Sequence, residues 1–297
     1  MKTQTKSLLR TAELFQSNLD QYSNFQMMGV INLTPNSFSD GGRFNDHQDV
    51  QKQLDKFREY GCKVFDFGAE STAAFNDAIS LEEELSRLEI LFDLVRNNSF
   101  KEDEVLSLDT YKIEVFREFA AFVAKSNLRN KIIFNDVSGA LDPDLFNLFN
   151  DYSFDYIYSH SLVPTRSQAS SHMDYLSDEL DLRSYFLKAR EEFSKRGVLE
   201  RVAFDPCFGF SKTAGQNLEL LESIKKYTDL SQKWLLGISR KSFLRGLSNS
   251  KDRSEQFFFS ELLHGQVLKS WMRDITEAEV LIRLHDPQIF HFAQLMK

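Results

Sequence analysis

The sequence predicts a single (β/α)8 barrel of the TIM-barrel class over its 297 residues. Short β-branched or aromatic runs alternate with amphipathic helical patterns, and eight such pairs follow one another without a linker between them. This alternation favours one closed parallel barrel, with one domain over residues 1–297, rather than two domains. An open doubly wound sheet is the structural alternative.

The composition restricts the class of protein further. Lys and Arg number 36 against 44 Asp and Glu, which gives a net charge of −8 and argues against nucleic acid as the main partner. Two cysteines are too few to staple a chain of this length, so we expect a reducing, cytoplasmic environment. No apolar run has the length of a transmembrane helix, and the first residues do not form a signal-peptide pattern.

Eight short apolar runs are predicted to be strands, and each is followed by polar loop residues. They cover residues 27–33, 63–67, 105–108, 131–135, 156–159, 202–204, 235–238 and 280–283. Runs of this kind, apolar on both faces, are typical of parallel strands that helices cover.

The segments between the strands carry helical signals. After the second strand, leucines recur at spacings of three and four from Leu81 onward, and Glu82, Glu83 and Glu84 fall in the first turn. Asp142-Pro143 predicts an N-cap and the first residue of a helix. We assign most of the 28 phenylalanines to the core between strands and helices. The run at 257–259 predicts a helix that is buried on more than one side.

Polar side chains follow every predicted strand. In chain order they are Asn32, Glu70-Ser71-Thr72, Asp109-Thr110, Asn135-Asp136, His160, Asp205-Pro206 with Lys212, Ser239-Arg240-Lys241, and Arg283 with His285. A single Asp or Asn at such a place is most often a cap or an Asx-turn. The carboxyl ends of all strands meet at one rim of a parallel barrel, so eight polar ends together predict an active site there.

The polar residues suggest two kinds of ligand chemistry. Carboxylates and an amide at Asp109, Asn135 and Asp205 suit a flat heterocycle rich in N–H donors, such as a pterin or a purine. Lys241 is expected to lie over that ring or to donate to its carbonyl group.

The last and first strands adjoin in a closed barrel, which places Arg283 and His285 next to Asn32. A cationic pair beside an amide oxygen suits a diphosphate bound together with Mg²⁺, which prefers oxygen ligands. The end of the eighth strand is also a frequent phosphate site in this fold. Neither a Walker A motif nor GxGxxG is present, so the usual nucleotide loops are not offered.

Seven motifs in this sequence resemble those of the dihydropteroate synthases. They are MGVINLTPNSFSDGG (28–42), DFGAEST (66–72), SLDT (107–110), NDVSG (135–139), DPCFGFSK (205–212), GISRKS (237–242) and RLHD (283–286). The resemblance extends over residues 25–286. It implies a homodimeric barrel that condenses 6-hydroxymethyl-7,8-dihydropterin diphosphate with 4-aminobenzoate, giving 7,8-dihydropteroate and diphosphate in folate biosynthesis.

The resemblance also implies three groups of site residues. Those that hold the pterin are Asp109, Asn135, Asp205 and Lys241. Those that hold the diphosphate are Asn32, Arg283 and His285, with Asn32 also binding Mg²⁺. Those that form the aminobenzoate pocket are Thr72, Phe210 and Ser239, helped by the N-terminus of the helix after the seventh strand. Lys241, Asp109, Asp205, Arg283 and His285 are expected to carry the catalysis.

The sequence departs from the family pattern at several places. Ala73-Ala74-Phe75 replaces Arg-Pro-Gly after Thr72, which predicts a second loop with an altered aminobenzoate contact. Asn36, Ser159 and Cys207 stand where Asp, Met and Gly are usual. One hypothesis is that Arg166 substitutes for the missing arginine.

Three functional hypotheses follow from these residues. The first is the synthase itself. The second is a related barrel enzyme such as a methyltetrahydrofolate methyltransferase, which the Arg283 and His285 pair disfavours because methyl transfer releases no diphosphate. The third is a non-catalytic pterin-binding paralogue whose second loop has changed.

Overall fold

The computed structural model describes residues 22–34, 47–70, 78–126, 128–163, 165–169, 177 and 181–296. Eight parallel strands close into one barrel in chain order, with β8 paired to β1. The strands are β1 (Phe25–Asn32), β2 (Val64–Gly68), β3 (Val105–Asp109), β4 (Ile132–Asp136), β5 (Asp155–Ser159), β6 (Val202–Asp205), β7 (Lys233–Leu236) and β8 (Glu279–Leu284). The (β/α)8 barrel is confirmed, and the open doubly wound sheet is excluded.

All eight strand boundaries agree with the sequence within two residues. The seventh strand is the least accurate, because it covers Lys233–Leu236 rather than 235–238. Its register is set by pairing with β8, where Lys233 lies opposite Glu279. A short apolar run carries no signal for that register, since both of its faces are buried.

Helices surround the barrel between the strands. They are α1 (His47–Glu59), α2 (Leu81–Arg96), α3 (Ile113–Lys125), α4 (Pro143–Asp151), α5 (Arg183–Lys195), α6 (Ala214–Ser223), α7 (Ser242–Arg245), α8 (Arg253–Asp274) and α9 (Pro287–Leu295). The predicted cap at α4 is confirmed, because Asp142 accepts a hydrogen bond from the Leu145 amide at 2.9 Å. None of the helices within the described ranges is long and apolar enough to cross a membrane.

The helix after the seventh strand is short. It covers only four residues, Ser242–Arg245. The helix dipole depends on aligned peptide groups, so one turn supplies little of the field expected to favour a carboxylate. That this helix N-terminus favours the aminobenzoate carboxylate stays a prediction, with a weaker dipole behind it than a long helix would supply.

The interpretation of the phenylalanine run at 257–259 is wrong. Phe258 has 69% of its surface exposed, and Phe259 is exposed as well. The buried stripe of α8 instead begins at Ser260 and His264 and continues to Leu268 and Trp271. The first buried residues of this stripe are polar, whereas the phenylalanines next to them are apolar. The sequence therefore indicated the wrong face of the helix as buried. Elsewhere the rings do fill the core, as where Phe116 stacks on Phe134 with centroids 4.4 Å apart.

Inward-facing side chains change from apolar to polar within one step along the strands. The lower level is a cluster that includes Val64, Ile133, Ile157, Ala203 and Leu235. Side chains alternate along a strand, so the next inward positions lie two residues closer to the rim. Those positions include Asp66, Ser107, Asn135, Ser159, Asp205 and Arg283. The apolar level thus forms a floor on which a polar level is built.

The close approach of β1 to α1 generates a stability prediction. A Cβ on Gly29 would lie 2.8 Å from the Phe57 ring, so we expect Gly29→Ala to lower the free energy of unfolding by about 1–3 kcal/mol. Chemical denaturation measures this. Gly215→Ala is the matched control, because its Cβ would meet only Thr213 Oγ1, at 4.0 Å. Equal stabilities for the two variants would contradict this packing.

Candidate active site

Asp66 organises the polar level of the barrel. Its fully buried carboxylate accepts hydrogen bonds from Arg283 Nε at 2.6 Å and from Ser107 Oγ at 2.6 Å. Asn135 Nδ2 donates to the same carboxylate at 3.1 Å. Arg283 Nη2 also donates to Asp109 Oδ2 at 2.6 Å. The guanidinium therefore bridges two carboxylates, and strands β2, β3, β4 and β8 are joined through their side chains.

Two buried carboxylate and amide oxygens in this level, Asp109 Oδ1 and Asn135 Oδ1, have no hydrogen-bond partner among the described residues. The buried Ser159 hydroxyl has none either. Because the Asn135 amide nitrogen is used by Asp66, its oxygen is the atom left for a ligand. Leaving a buried acceptor unsatisfied costs about 1–3 kcal/mol, so a ligand with N–H donors would gain from both atoms. Burial raises the pKa of Asp109 to about 7, although Arg283 opposes the shift.

The loop after β6 holds Asp205 in place. Asp205 Oδ1 accepts from the Cys207 amide at 2.7 Å. Cys207 has a φ of 53°, in the left-handed region that favours glycine, which explains why glycine is usual there. The Cys207 thiol is buried, and burial raises its pKa to about 12. Cys207 is therefore a small buried residue whose thiol is poorly suited to act as a nucleophile.

Lys241 lies against the same loop. Its Nζ is 4.5 Å from the centroid of the Phe210 ring, a cation–π contact. Desolvation lowers the pKa of Lys241. Gly209 leaves room for this lysine, since a Cβ there would lie 3.2 Å from Lys241 Cδ. Lys241 and Phe210 thus form one wall of the site.

The ends of β7 and β8 form a separate corner. Nδ1 of His285 lies 3.0 Å from Ser239 Oγ. Burial and the nearby Arg240 and Arg283 lower the pKa of His285 well below its usual value. The ring is therefore neutral at pH 7, and Arg283 supplies the fixed positive charge next to it.

Nine of the ten predicted site residues line one cavity of about 290 Å³ at the rim. They are Asn32, Asp109, Asn135, Asp205, Phe210, Ser239, Lys241, Arg283 and His285. Thr72, the tenth, lies outside the described residues, as do Asn36 and the departure at residues 73–75. His160 and Ser159 are both fully buried at the end of β5. The sequence therefore located nearly all of this cavity's chemistry.

Sequence reasoning missed the buried ion pairs behind the cavity. Asp66 is one case, and its only signal was an acid in the middle of the apolar run VFDFG. Lys112 is another, because it binds Glu70, which lines the cavity, and Glu84 Oε2 at 2.7 Å. Glu84 is fully buried, so it is more than the helix-dipole partner that its place in α2 suggested.

Arg166 occupies a comparable position between two loops. Its guanidinium pairs with Asp136 and, through Nε, with Asp142 at 2.9 Å. It also donates to the Tyr111 carbonyl at 3.2 Å. The side chain thus connects the loop after β5 to the start of α4. These contacts already occupy the Arg166 guanidinium, which one hypothesis had assigned as a substitute for the missing arginine of the second loop.

Comparisons with known proteins agree on one family. Residues 28–264 match the family described as pterin binding enzyme. A Streptococcus pyogenes protein named dihydropteroate synthase is 32% identical over 236 residues, which cover 78% of this chain and 82% of that protein. Its Synechocystis counterpart is 29% identical over 285 residues, 95% of this chain and 91% of the relative. The structure of a Xanthomonas albilineans dihydropteroate synthase with 4-aminobenzoic acid aligns with a TM-score of 0.69 at 26% identity, covering 92% of both chains.

The Asp66 ion pair gives a second stability prediction. We expect Asp66→Ala to lower the free energy of unfolding by about 3–5 kcal/mol, because it removes a buried partner of Arg283. Ser107→Ala removes only a neutral donor to the same carboxylate and should cost about 1–3 kcal/mol. Urea denaturation of both variants measures the difference. A smaller loss for Asp66→Ala than for Ser107→Ala would contradict the assignment of Asp66 as the anchor.

Proposed function

The chain belongs to the dihydropteroate synthase family of pterin-binding enzymes, and from this premise we propose how its rim joins the two substrates. The family reaction condenses a dihydropterin diphosphate with 4-aminobenzoate, so the chain is a transferase. This reaction also explains why Arg283 and His285 lie together at the rim, since they suit a diphosphate leaving group. A methyltransferase of the same fold releases no diphosphate and does not need them.

The pterin is proposed to bind over the polar level of the barrel. The observation that carries this is the pair of unpaired buried acceptors, Asp109 Oδ1 and Asn135 Oδ1. A pterin presents amino and ring N–H donors along one edge, and these match two acceptors beside the Asp205 carboxylate. Its carbonyl oxygen would then accept a hydrogen bond from Lys241. The heterocycle would satisfy groups that the protein leaves unsatisfied.

The diphosphate is proposed to lie in the corner formed by Asn32, Arg283 and His285. The positive charge of Arg283 has a fixed position there, because Asp66 and Asp109 hold its guanidinium in one orientation. The neutral His285 ring carries one N–H, which would donate a hydrogen bond to a phosphate oxygen. This arrangement stabilises charge on the leaving diphosphate with groups that are already in place.

The donor set fits Mg²⁺ that arrives with the substrate. No group of three or more His, Cys, Asp or Glu side chains in the described part of the chain is arranged to hold a metal ion. Asn32 offers one hard oxygen at the diphosphate corner, and Mg²⁺ commonly combines one or two protein oxygens with phosphate oxygens and waters. When bound, the ion would offset negative charge on the diphosphate.

The aminobenzoate is proposed to lie between Phe210 and Ser239, within reach of the pterin methylene carbon. The Xanthomonas albilineans relative was solved with 4-aminobenzoic acid, which supports a site for this substrate class. The neutral amine of 4-aminobenzoate attacks the pterin methylene carbon as the carbon–oxygen bond to diphosphate breaks. The nitrogen that has formed the new bond then loses a proton. Asp109 and Asp205 stabilise the positive charge that develops on the pterin. The protein contributes mainly positions and charges.

A catalytic assay tests the proposal. Purified protein with dihydropterin diphosphate, 4-aminobenzoate and Mg²⁺ should form dihydropteroate, and chelation of Mg²⁺ by EDTA should stop it. Lys241→Ala and Asp205→Ala should each abolish pterin binding in calorimetry, whereas Lys195→Ala on the exposed side of α5 should not. Pterin binding without any product would support the non-catalytic paralogue, and unchanged pterin affinity in both site variants would refute the site.

We further propose a homodimer and a cytoplasmic location, the latter in keeping with two buried free cysteines. Phe258 and Leu262 on α8 are 69% and 48% exposed, and Phe292 on α9 is 47% exposed. Phe292 also packs beside Gly265, so these side chains form one apolar face. An apolar face of this kind is typical of an interface between protomers.

Light scattering tests the homodimer. The unmodified protein should have twice the chain mass, and Phe258→Asp should give a folded monomer, because it places a charge in the interface. Phe258→Leu is the control, since it keeps the apolar face. A monomeric unmodified protein would exclude this interface.

A further inference from the structure

Lys212 is a buried cation that the proposed reaction does not use. Only 4% of its surface is exposed. Its Nζ donates to the Phe210 carbonyl at 2.9 Å and to the Cys207 carbonyl at 3.3 Å, and it lies 3.0 Å from His160 Nδ1. An ammonium group has three N–H donors, so each of them has an acceptor.

The segment that Lys212 fastens has an unfavourable backbone. Cys207, Gly209 and Ser211 all have positive φ, at 53°, 84° and 54°. Non-glycine residues in this region are strained, and such conformations persist only where surrounding contacts over-determine them. The two carbonyl groups that Lys212 binds lie within this strained stretch, at positions 207 and 210.

Other contacts fasten the same loop from its far side. Asn217 accepts from the Gly209 amide at 2.7 Å and donates to the Lys212 carbonyl at 3.2 Å. The Leu162 amide donates to Ser211 Oγ at 2.9 Å. The loop is therefore held by α6, by the segment after β5 and by the Lys212 ammonium.

This loop carries a contact for each proposed substrate. The Cys207 amide donates to Asp205, which is assigned to the pterin. The carbonyl of Phe210 is bound by Lys212, while its ring packs under Lys241 beside the aminobenzoate pocket. A shift of either carbonyl group would move a substrate contact.

His160 determines where the ammonium sits. Its ring is fully buried and packs edge-on against Tyr185, with centroids 4.5 Å apart. Burial lowers the pKa of His160 to about 2, so the ring is neutral and Nδ1 serves as the acceptor. The contact joins the end of β5 to the loop after β6.

We propose that Lys212, held by His160, is a positioning residue that keeps Asp205 and Phe210 in place and thereby sets the affinity for both substrates. The proposal rests on the proposed function, because those two residues are assigned to substrates there. Lys212 itself contacts neither substrate in this scheme. Its effect is expected on binding and on kcat/KM more than on folding alone.

Two single variants, their double variant and one conservative replacement test this. Lys212→Met keeps the length of the side chain without its donors, and His160→Leu removes the acceptor. Each should raise the Kd for the pterin and the KM for 4-aminobenzoate by about tenfold, which corresponds to about 1.4 kcal/mol. Lys212→Met already removes the contact that His160→Leu breaks, so the double variant should bind no more than about twofold worse than Lys212→Met alone. His160→Gln, whose Oε1 can accept from Lys212, should stay within about threefold of the unmodified protein.

Lys233→Met is the matched control. It removes a lysine-to-carbonyl contact, Lys233 Nζ to Glu200 O at 2.7 Å, at the start of β7. It should leave both constants unchanged while lowering stability modestly. Urea denaturation of every variant separates unfolding from misplacement, and if Lys212→Met does not fold, the His160→Leu and His160→Gln comparison decides.

Folded Lys212→Met and His160→Leu proteins that bind both substrates within twofold of the unmodified protein would overturn the proposal. Equal losses in His160→Leu and His160→Gln would also overturn it, because only the first removes the acceptor. A protein that binds pterin but forms no dihydropteroate would contradict the catalytic proposal alone. In that case, the pterin Kd of the Lys212 and His160 variants, measured by calorimetry, would still test the role of Lys212.

Discussion

The paired contacts of Arg283 with Asp66 and Asp109 are the constraint on which the site depends. A guanidinium and two carboxylates inside a barrel are costly to desolvate, so they are stable only when they satisfy one another. Asp66 achieves this while it also orients Asn135 and binds Ser107. The geometry leaves one oxygen of Asp109 and one of Asn135 unpaired, and we propose that these two atoms bind the pterin.

The same arrangement recurs twice around the rim. Arg283 joins carboxylates of β2 and β3, Lys112 joins Glu70 to Glu84, and Arg166 joins Asp136 to Asp142. In each case one cation is held between two carboxylates that belong to different segments of the barrel. Loops at a rim have few apolar contacts, so charged bridges of this kind restrict them where substrate groups must be placed. Lys212 is an exception, because its acceptors are two carbonyl groups and an imidazole.

Much of the fold and of the rim could be predicted, because alternation of strands and helices and polar strand ends are local patterns. Asp66 could not be assigned in this way, since a parallel strand is buried on both faces and its sequence does not show which residues point inward. Glu84 has a local explanation as an acid at a helix start, which hid its buried pair with Lys112. The exposure of Phe258 and the short length of α7 depend on packing between distant segments. No local sequence pattern predicts that packing.

A crystal structure with a bound pterin tests the central claim most directly. The account predicts that ring N–H groups donate to Asp109 Oδ1 and Asn135 Oδ1 while Arg283 keeps its contacts with Asp66 and with Asp109 Oδ2. The polar level would then be a preorganised site whose side chains hardly move. A pterin that displaces Arg283 from Asp109, or that binds away from these two oxygens, would contradict it.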